Sequence, residues 1–156
     1  MEIVSRPEIG CPEDAQAYLT RLRQLLIWLD VCDGNMEEGS LRCDANISVR
    51  KRGAEEFGTK TEVKNMNSFR SVERAIEFEI ARQEAALRAG EPLIQETRGW
   101  DDDRGVTYHM RTKETSDDYR YFPEPDLLPV VLSEEDIAEI AAQMPELPLA
   151  RRAVGN

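Results

Sequence analysis

Polar and apolar residues alternate along residues 40–51, and the polar positions carry side chains that could do chemistry. A period of two predicts a half-buried strand with one polar face. That face carries Arg42, Asp44, Asn46 and Ser48. A second, weaker strand is predicted over residues 59–65, with Glu62 and Lys64 on one side.

Carboxylates on two adjacent strands could share a cation. Paired strands lie about 5 Å apart, so Asp44 and Glu62 would repel each other unless a positive charge lay between them. Oxygen ligands of this kind suit Mg²⁺, which in turn binds phosphates. Arg42 and Lys64 could then neutralise a transferred phosphoryl group. Taken alone, the alternation is more typical of a solvated strand face with cross-strand ion pairs.

A proline-containing segment over residues 117–126 holds a cluster of aromatic residues, reading Tyr-Arg-Tyr-Phe over residues 119–122. Its prolines disfavour a helix. Such a cluster could stack on a nucleobase. Composition by itself favours a simpler interpretation, in which the aromatic side chains hold a loop against the core.

The other reactive residue types form no recognisable motif. His109, the only histidine, has no Ser or Cys nucleophile near it in the sequence and is interpreted as structural. The cysteines at 11, 32 and 43 include no CxxC pair, which argues against a zinc site or a disulfide framework and favours a reducing cytoplasm. The sequence contains neither a P-loop nor a GxGxxG motif.

Bulk composition restricts the partners. The 156 residues are 40% hydrophobic and 33% charged, as expected of a soluble globular domain. The net charge of −11 argues against a broad contact with DNA and favours metal ions, nucleotide–metal complexes or protein subunits, although a small local patch could still contact RNA. No apolar run approaches the roughly 18 residues that span a membrane, and the N-terminus does not resemble a signal peptide.

The sequence predicts three helices that pack around the strands carrying the candidate site residues. They are predicted over residues 11–30, from Asn67 or Ser68 to Ala89, and from Ser133 to just before Pro145. Gly90 is the expected stop of the second helix, and Asp136 completes a capping box in the third. The second helix carries an apolar stripe, and the Glu and Arg residues between its members are predicted to be solvated. The stripe consists of Phe69, Val72, Ile76, Ile80 and Leu87.

The remaining strands are predicted as a hairpin of residues 93–100 and 105–112 around an Asp-Asp-Asp-Arg-Gly turn. Because the strands lie mostly in hairpins, we expect a mainly antiparallel sheet with two to three packed helices. The predicted fold class is therefore α+β.

Five longer strings resemble the B-subunit family of the tRNA-dependent amidotransferases, which act on Asp-tRNA and Glu-tRNA. The strings occur in the order and spacing of that family. They cover residues 2–5, 36–48, 64–69, 95–98 and 118–126.

The resemblance implies a fold and a reaction. The B subunit has a cradle-shaped catalytic domain similar to the glutamine synthetase core. With ATP and Mg²⁺ it phosphorylates the side-chain carboxylate of Glu or Asp that is misattached to tRNA. An amidase-type A subunit releases ammonia from glutamine to displace the phosphate, and a small C subunit completes the complex. The implied location is the bacterial cytoplasm, with an organelle as the alternative.

The resemblance also implies roles for individual residues. Glu2, Asp44 and Glu62 match metal or phosphate-site positions. Arg42 and Lys64 are the further catalytic candidates, and Asn46 and Ser48 are the candidates for binding ATP.

The family has further chain on both sides of the matched region. Residues 1–148 are therefore expected to be part of the catalytic domain, and residues 149–156 the start of the next helical region. A chain of this extent is expected to be inactive alone. The alternative interpretation is a non-catalytic module that docks the A and C subunits.

Overall fold

The computed structural model describes residues 1–112 and 125–153 and shows the predicted α+β fold. The helices are α1 (Pro12–Trp28), α2 (Phe69–Ala89), α3 (Glu134–Gln143) and α4 (Pro148–Ala153). The strands are β1 (Cys43–Ile47), β2 (Thr61–Met66), β3 (Glu96–Asp101) and β4 (Val106–Thr112). Within the described ranges, no helix is long and apolar enough to cross a membrane.

The four strands form one sheet in the order β1-β2-β3-β4. β1 pairs antiparallel with β2, and β3 with β4, which confirms the mainly antiparallel sheet. β2 and β3 are parallel, because the 21 residues of α2 carry the chain back to the end of the sheet at which β2 began. One helical crossover therefore joins two antiparallel pairs.

β1 is shorter than the predicted strand over residues 40–51, although its alternation is as predicted. At the end of β1, the Gln83 side chain from α2 accepts a hydrogen bond from Val49 N and donates one to Ile47 O, both at 3.1 Å. Because the Gln83 side chain satisfies these backbone groups, β1 can end at Ile47 without leaving them unpaired.

The predicted helix boundaries are confirmed for α2 and α3. The Ser68 side chain caps α2 by accepting a hydrogen bond from Ser71 N at 3.0 Å. Gly90 ends α2 with a φ of 76°, a left-handed conformation that glycine adopts without steric cost. Ser133 and Asp136 form the predicted capping box at the start of α3.

The hydrophobic core lies between α1, α2 and one face of the sheet. Its buried members are Leu19, Ile47, Val63, Met66, Val72, Ala75 and Trp100. The predicted stripe residues Phe69, Ile76 and Ile80 are partly buried against it. Leu87 was wrongly placed in that stripe, since it is 47% exposed. The last buried residue of α2 is Gln83, so the final turn projects into solvent.

The prediction that the charged residues of α2 are all solvated is wrong for Glu79, which is completely buried. Arg82 donates two hydrogen bonds to its carboxylate, from Nε at 2.9 Å and from Nη2 at 2.6 Å. Gln83 Nε2 and Thr107 Oγ1 donate two more, at 2.9 and 3.3 Å. Glu79 shares the sheet-facing side of α2 with Val72, and these partners make the burial of a carboxylate tolerable.

Glu96 extends this polar network across β3 to β4. Arg98 Nη1 donates to Glu96 Oε1 at 2.9 Å, and Arg98 Nε lies 3.8 Å from Glu79 Oε2. His109 Nδ1 is 2.6 Å from Glu96 Oε2, and the ring nitrogen donates because an ionised carboxylate only accepts. His109 thus has an ordered partner that its sequence neighbours did not reveal. Among the described residues, no buried side-chain nitrogen or oxygen lacks a hydrogen-bond partner.

The C-terminal part of the described chain packs on α1. Trp28 Nε1 donates to Glu146 O at 3.1 Å, and the Arg151 guanidinium lies 5.7 Å from the Trp28 ring centroid. α4 begins at Pro148 and so crosses the boundary expected between the two predicted domains. The division into residues 1–148 and 149–156 stays a prediction.

Replacing Glu79 with Ala should lower the free energy of unfolding by about 3 kcal/mol or more, because the change removes one of two buried carboxylates and leaves Arg82 and Arg98 to share Glu96 alone. Glu84→Ala on the same helix is the matched control. Glu84 pairs with Arg88 at the surface, so its loss should cost less than about 0.5 kcal/mol. Urea unfolding of both variants provides the comparison, and equal losses would contradict the role given to Glu79.

The Glu96 carboxylate should make stability depend on acid pH. Burial raises its pKa, but the hydrogen bonds from His109 and Arg98 outweigh burial and hold the pKa below its usual range. A lowered pKa adds stability that is fully present above the unfolded value of about 4.3 and is lost as the pH falls through the folded value.

The unfolding free energies of the wild-type chain and of Glu96→Gln should therefore converge as the pH falls from about 6 to about 3. Chemical denaturation across that range measures the difference. A difference that stays constant with pH would contradict the proposed linkage.

Candidate functional site

Four of the predicted polar residues lie on the face of the sheet that points away from α2, here called the open face: Asp44, Asn46, Glu62 and Lys64. Strand register arranges this face in rows across the sheet. One row runs Asn46, Glu62, Thr97 and Arg111, paired in that order from β1 to β4. In the next row Lys64 pairs with Gly99, and Gly99 with Tyr108. Residues that are far apart in the sequence are thereby brought side by side.

Lys64 lies between the two predicted carboxylates. Its Nζ forms an ion pair with Asp44 Oδ2 and lies 3.5 Å from Glu62 Oε1. Burial lowers the pKa of Lys64, but the hydrogen bond and charge of Asp44, together with the charge of Glu62, outweigh burial and raise it. The cation that the sequence required between Asp44 and Glu62 is therefore supplied, in this structure, by the chain itself.

A bulge in β2 lies opposite Asp44. Two residues of β2, Lys64 and Asn65, lie between Val63 and Met66, whereas only Asp44 lies between their partners on β1. Asn65 has a φ of 72°, and asparagine is among the few residues that adopt this left-handed conformation readily. Because Ala45 pairs with Val63, Asp44 lies opposite Lys64, and the extra residue shifts the next pair from Cys43–Asn65 to Cys43–Met66.

Glu62 is the more enclosed carboxylate, with a side chain 13% exposed against 45% for Asp44. Its Oε2 accepts a hydrogen bond of 2.9 Å from Thr97 Oγ1 on the adjacent strand. Thr97 was not singled out from the sequence, although it belongs to one of the family-like strings. The available signal was the alternation of Glu96 and Arg98 with Thr97 and Gly99, which puts the two small residues on the other face of β3.

Gly99 allows an aromatic side chain to cover β3 on the open face. A Cβ atom at this position would overlap the ring of Tyr108. Glycine is therefore needed for close approach rather than for an unusual backbone angle. Tyr108, also missed by the sequence analysis, presents a partly exposed ring two strands away from Lys64, on the far side of β3.

The other predicted site residues surround this centre less closely. Asn46 is exposed opposite Glu62. Arg42 precedes β1, with its guanidinium beside Gly39. The half-buried Ser48 follows the last residue of β1.

Glu2 is exposed in the N-terminal segment. Among residues 1–112 and 125–153, no three His, Cys, Asp or Glu side chains lie close enough together to hold a metal ion. The structure thus brings Asp44 and Glu62 together but does not gather Glu2 with them. The metal and ATP assignments stay predictions.

Two other features lie apart from the open face. The aromatic segment 119–122 falls outside the described residues. An open groove of about 650 Å³ lies between α1 and the C-terminal residues. None of the predicted site residues lines that groove, whose walls are Gln24, Ile27, Trp28, Pro148 and Arg151.

Comparison with known proteins places the chain among close relatives. It is 58% identical over 152 residues to the B subunit of the aspartyl/glutamyl-tRNA(Asn/Gln) amidotransferase of Roseiflexus castenholzii, covering 97% of this chain and 32% of the relative. The B subunit of the same enzyme from Thermodesulfovibrio yellowstonii is 60% identical over 148 residues, covering 95% of this chain and 31% of the relative. The chain thus spans about a third of the length of these curated relatives.

A family model described as the GatB/GatE catalytic domain matches residues 1–138. That range contains every element through β4 and all the residues of the open face described above. Since the match covers well over half of the sequence, this chain belongs to the GatB/GatE catalytic domain family.

Proposed function

We propose that this chain contributes to the acceptor-activating site of a tRNA-dependent amidotransferase, within a full-length B subunit. The activity is ATP-dependent phosphorylation of the side-chain carboxylate of Glu or Asp misattached to tRNA. The observation that carries the proposal is the Asp44–Lys64–Glu62 group on the open face. Family membership and the amidotransferase names of the relatives support it.

The proposed chemistry explains why such a site needs paired charges. A carboxylate is a poor electrophile, so an oxygen of the acceptor carboxylate first attacks the γ-phosphorus of ATP. The bond to the β,γ-bridging oxygen breaks and ADP leaves, forming an acyl phosphate. Ammonia then attacks the acyl carbon, phosphate leaves, and the nitrogen loses a proton to give the amide. In the first step the acceptor carboxylate approaches the negatively charged phosphates of ATP, so positive charge in the site must offset their repulsion.

Asp44 and Glu62 are proposed to bind Mg²⁺ beside the Lys64 ammonium, which is the positive charge that lies between them in this structure. Mg²⁺ is commonly held by one or two carboxylates together with substrate phosphates, and Asp44 and Glu62 offer such a pair of oxygen donors on neighbouring strands. A bound Mg²⁺ would neutralise charge shared by ATP and the acceptor. Glu2 remains a proposed third ligand, to be brought in by the full-length subunit.

The remaining assignments follow from position. Lys64 is a fixed cation beside both carboxylates and is proposed to stabilise the transferred phosphoryl group. Arg42, the residue directly before β1, is also proposed to stabilise the transferred phosphoryl group. Asn46 and Ser48 are proposed to orient ATP through their side-chain oxygen and nitrogen atoms.

The partners are proposals of the same kind. They are misacylated tRNA, an amidase-type A subunit that supplies ammonia, and a small C subunit, in the bacterial cytoplasm or in an organelle. The net charge of −11 implies that tRNA is held mainly outside this stretch of chain. Because the chain spans about a third of its relatives, we expect residues 1–156 alone to be inactive.

Neutral isosteres at the two carboxylates should separate the proposed function from a docking role. In the full-length complex, Asp44→Asn and Glu62→Gln should lower tRNA-dependent ATP turnover by at least about 100-fold, the usual effect of losing one preorganised electrostatic group. Complex assembly and glutaminase activity of the A subunit should remain. Glu84→Gln, a surface change on α2, is the control for nonspecific effects.

Normal ATP turnover in both carboxylate variants would refute the site. Loss of complex assembly instead of turnover would favour a non-catalytic module that docks the A and C subunits.

A further inference from the structure

The Glu62 carboxylate is contacted on both of its oxygens by different strands. Thr97 Oγ1 donates to Oε2 at 2.9 Å, and Lys64 Nζ lies 3.5 Å from Oε1. A carboxylate whose two oxygens have separate partners cannot rotate without breaking one of the contacts. The direction in which Oε1 faces is therefore set in part by Thr97.

The position of the Thr97 hydroxyl, which donates to Glu62, is restricted by burial and by strand pairing. It is 1% exposed, so little water competes for its hydroxyl. As a β-branched residue it has few allowed rotamers, and pairing with both Glu62 and Arg111 locks its backbone inside the sheet. Because an ionised carboxylate only accepts hydrogen bonds, the hydroxyl proton points at Glu62.

We propose that Thr97 is a positioning residue for the activation reaction, holding Glu62 so that Oε1 stays on the side of the Lys64 ammonium, where it would also bind a divalent cation. The inference rests on the proposed function, because it assumes that a divalent cation binds Glu62 during the reaction. Groups that orient metal ligands in this way typically change metal affinity or activity by about 10- to 100-fold when they are removed.

The structure supplies a matched control for the simpler view that Thr97 only stabilises the fold. Thr107 is also buried, at 6% exposure, and its hydroxyl also donates to a glutamate, Glu79, at 3.3 Å. It faces α2 rather than the open face, so it has no contact with Glu62. A stabilising role predicts similar effects of the two threonines, whereas a positioning role predicts different ones.

The test uses the full-length subunit in its assembled complex with Thr97→Val, Thr97→Ser, Thr107→Val and Glu62→Gln. Mn²⁺ binding, followed by electron paramagnetic resonance, reports cation affinity without turnover. The Mg²⁺ dependence of tRNA-dependent ATP hydrolysis and the melting temperature are measured in parallel.

Thr97→Val should weaken Mn²⁺ binding by about 10- to 100-fold and raise the Mg²⁺ requirement in proportion. Thr97→Ser, which keeps the hydroxyl, should restore most of the affinity. Thr107→Val should lower the melting temperature while leaving Mn²⁺ affinity unchanged.

Wild-type Mn²⁺ affinity in Thr97→Val, together with weakened binding in Glu62→Gln, would overturn the inference about Thr97 and leave the proposed site intact. Wild-type affinity in Glu62→Gln would overturn both. If Thr97→Val does not assemble, Thr97→Cys replaces it, since a thiol is a weaker donor. A partial loss of affinity in Thr97→Cys supports the inference, and an unchanged affinity refutes it.

Discussion

The buried carboxylate of Glu79 is the constraint on which the rest of the structure depends. A carboxylate without water needs hydrogen-bonded, charged partners, and Glu79 finds them on α2 and in the sheet. Arg82 and Gln83 come from its own helix, whereas Arg98 and Thr107 come from β3 and β4. Gln83 also binds the end of β1. Arg82 Nη2 also donates to Thr61 Oγ1 on β2, so one buried charge and its partners tie α2 to all four strands.

This network fixes the strand register that the open face requires. A shift of one residue in β3 would turn Arg98 away from Glu79, because successive side chains alternate between the two faces. It would equally remove Thr97 from Glu62 and Gly99 from Lys64. The polar residues on the α2-facing side of the sheet therefore specify how the residues of the open face are arranged, although they lie on the opposite side of the sheet.

Lys64 reconciles two interpretations of the polar strand face that the sequence left open. Its ion pair with Asp44 is the cross-strand pair typical of a solvated sheet. The same ammonium, close to Glu62 as well, is the cation that paired carboxylates require. The charges that hold the site together are therefore the charges that the proposed reaction needs to bind and neutralise phosphate.

The sequence by itself determined what depends on near neighbours. The alternation of β1 and β2, the caps at Ser68 and Gly90 and the capping box of α3 were all predicted, because each rests on residues within one turn or one strand. The family-like strings added the identity of the domain.

Tertiary structure decided what depends on residues far apart in the chain. The parallel pairing of β2 with β3, the burial of Glu79, the His109–Glu96 contact and the hydrogen bond from Thr97 to Glu62 were not predicted. A glutamate on an amphipathic helix is solvated in most settings and buried only when distant partners surround it. Those partners come together only when α2 packs on the sheet.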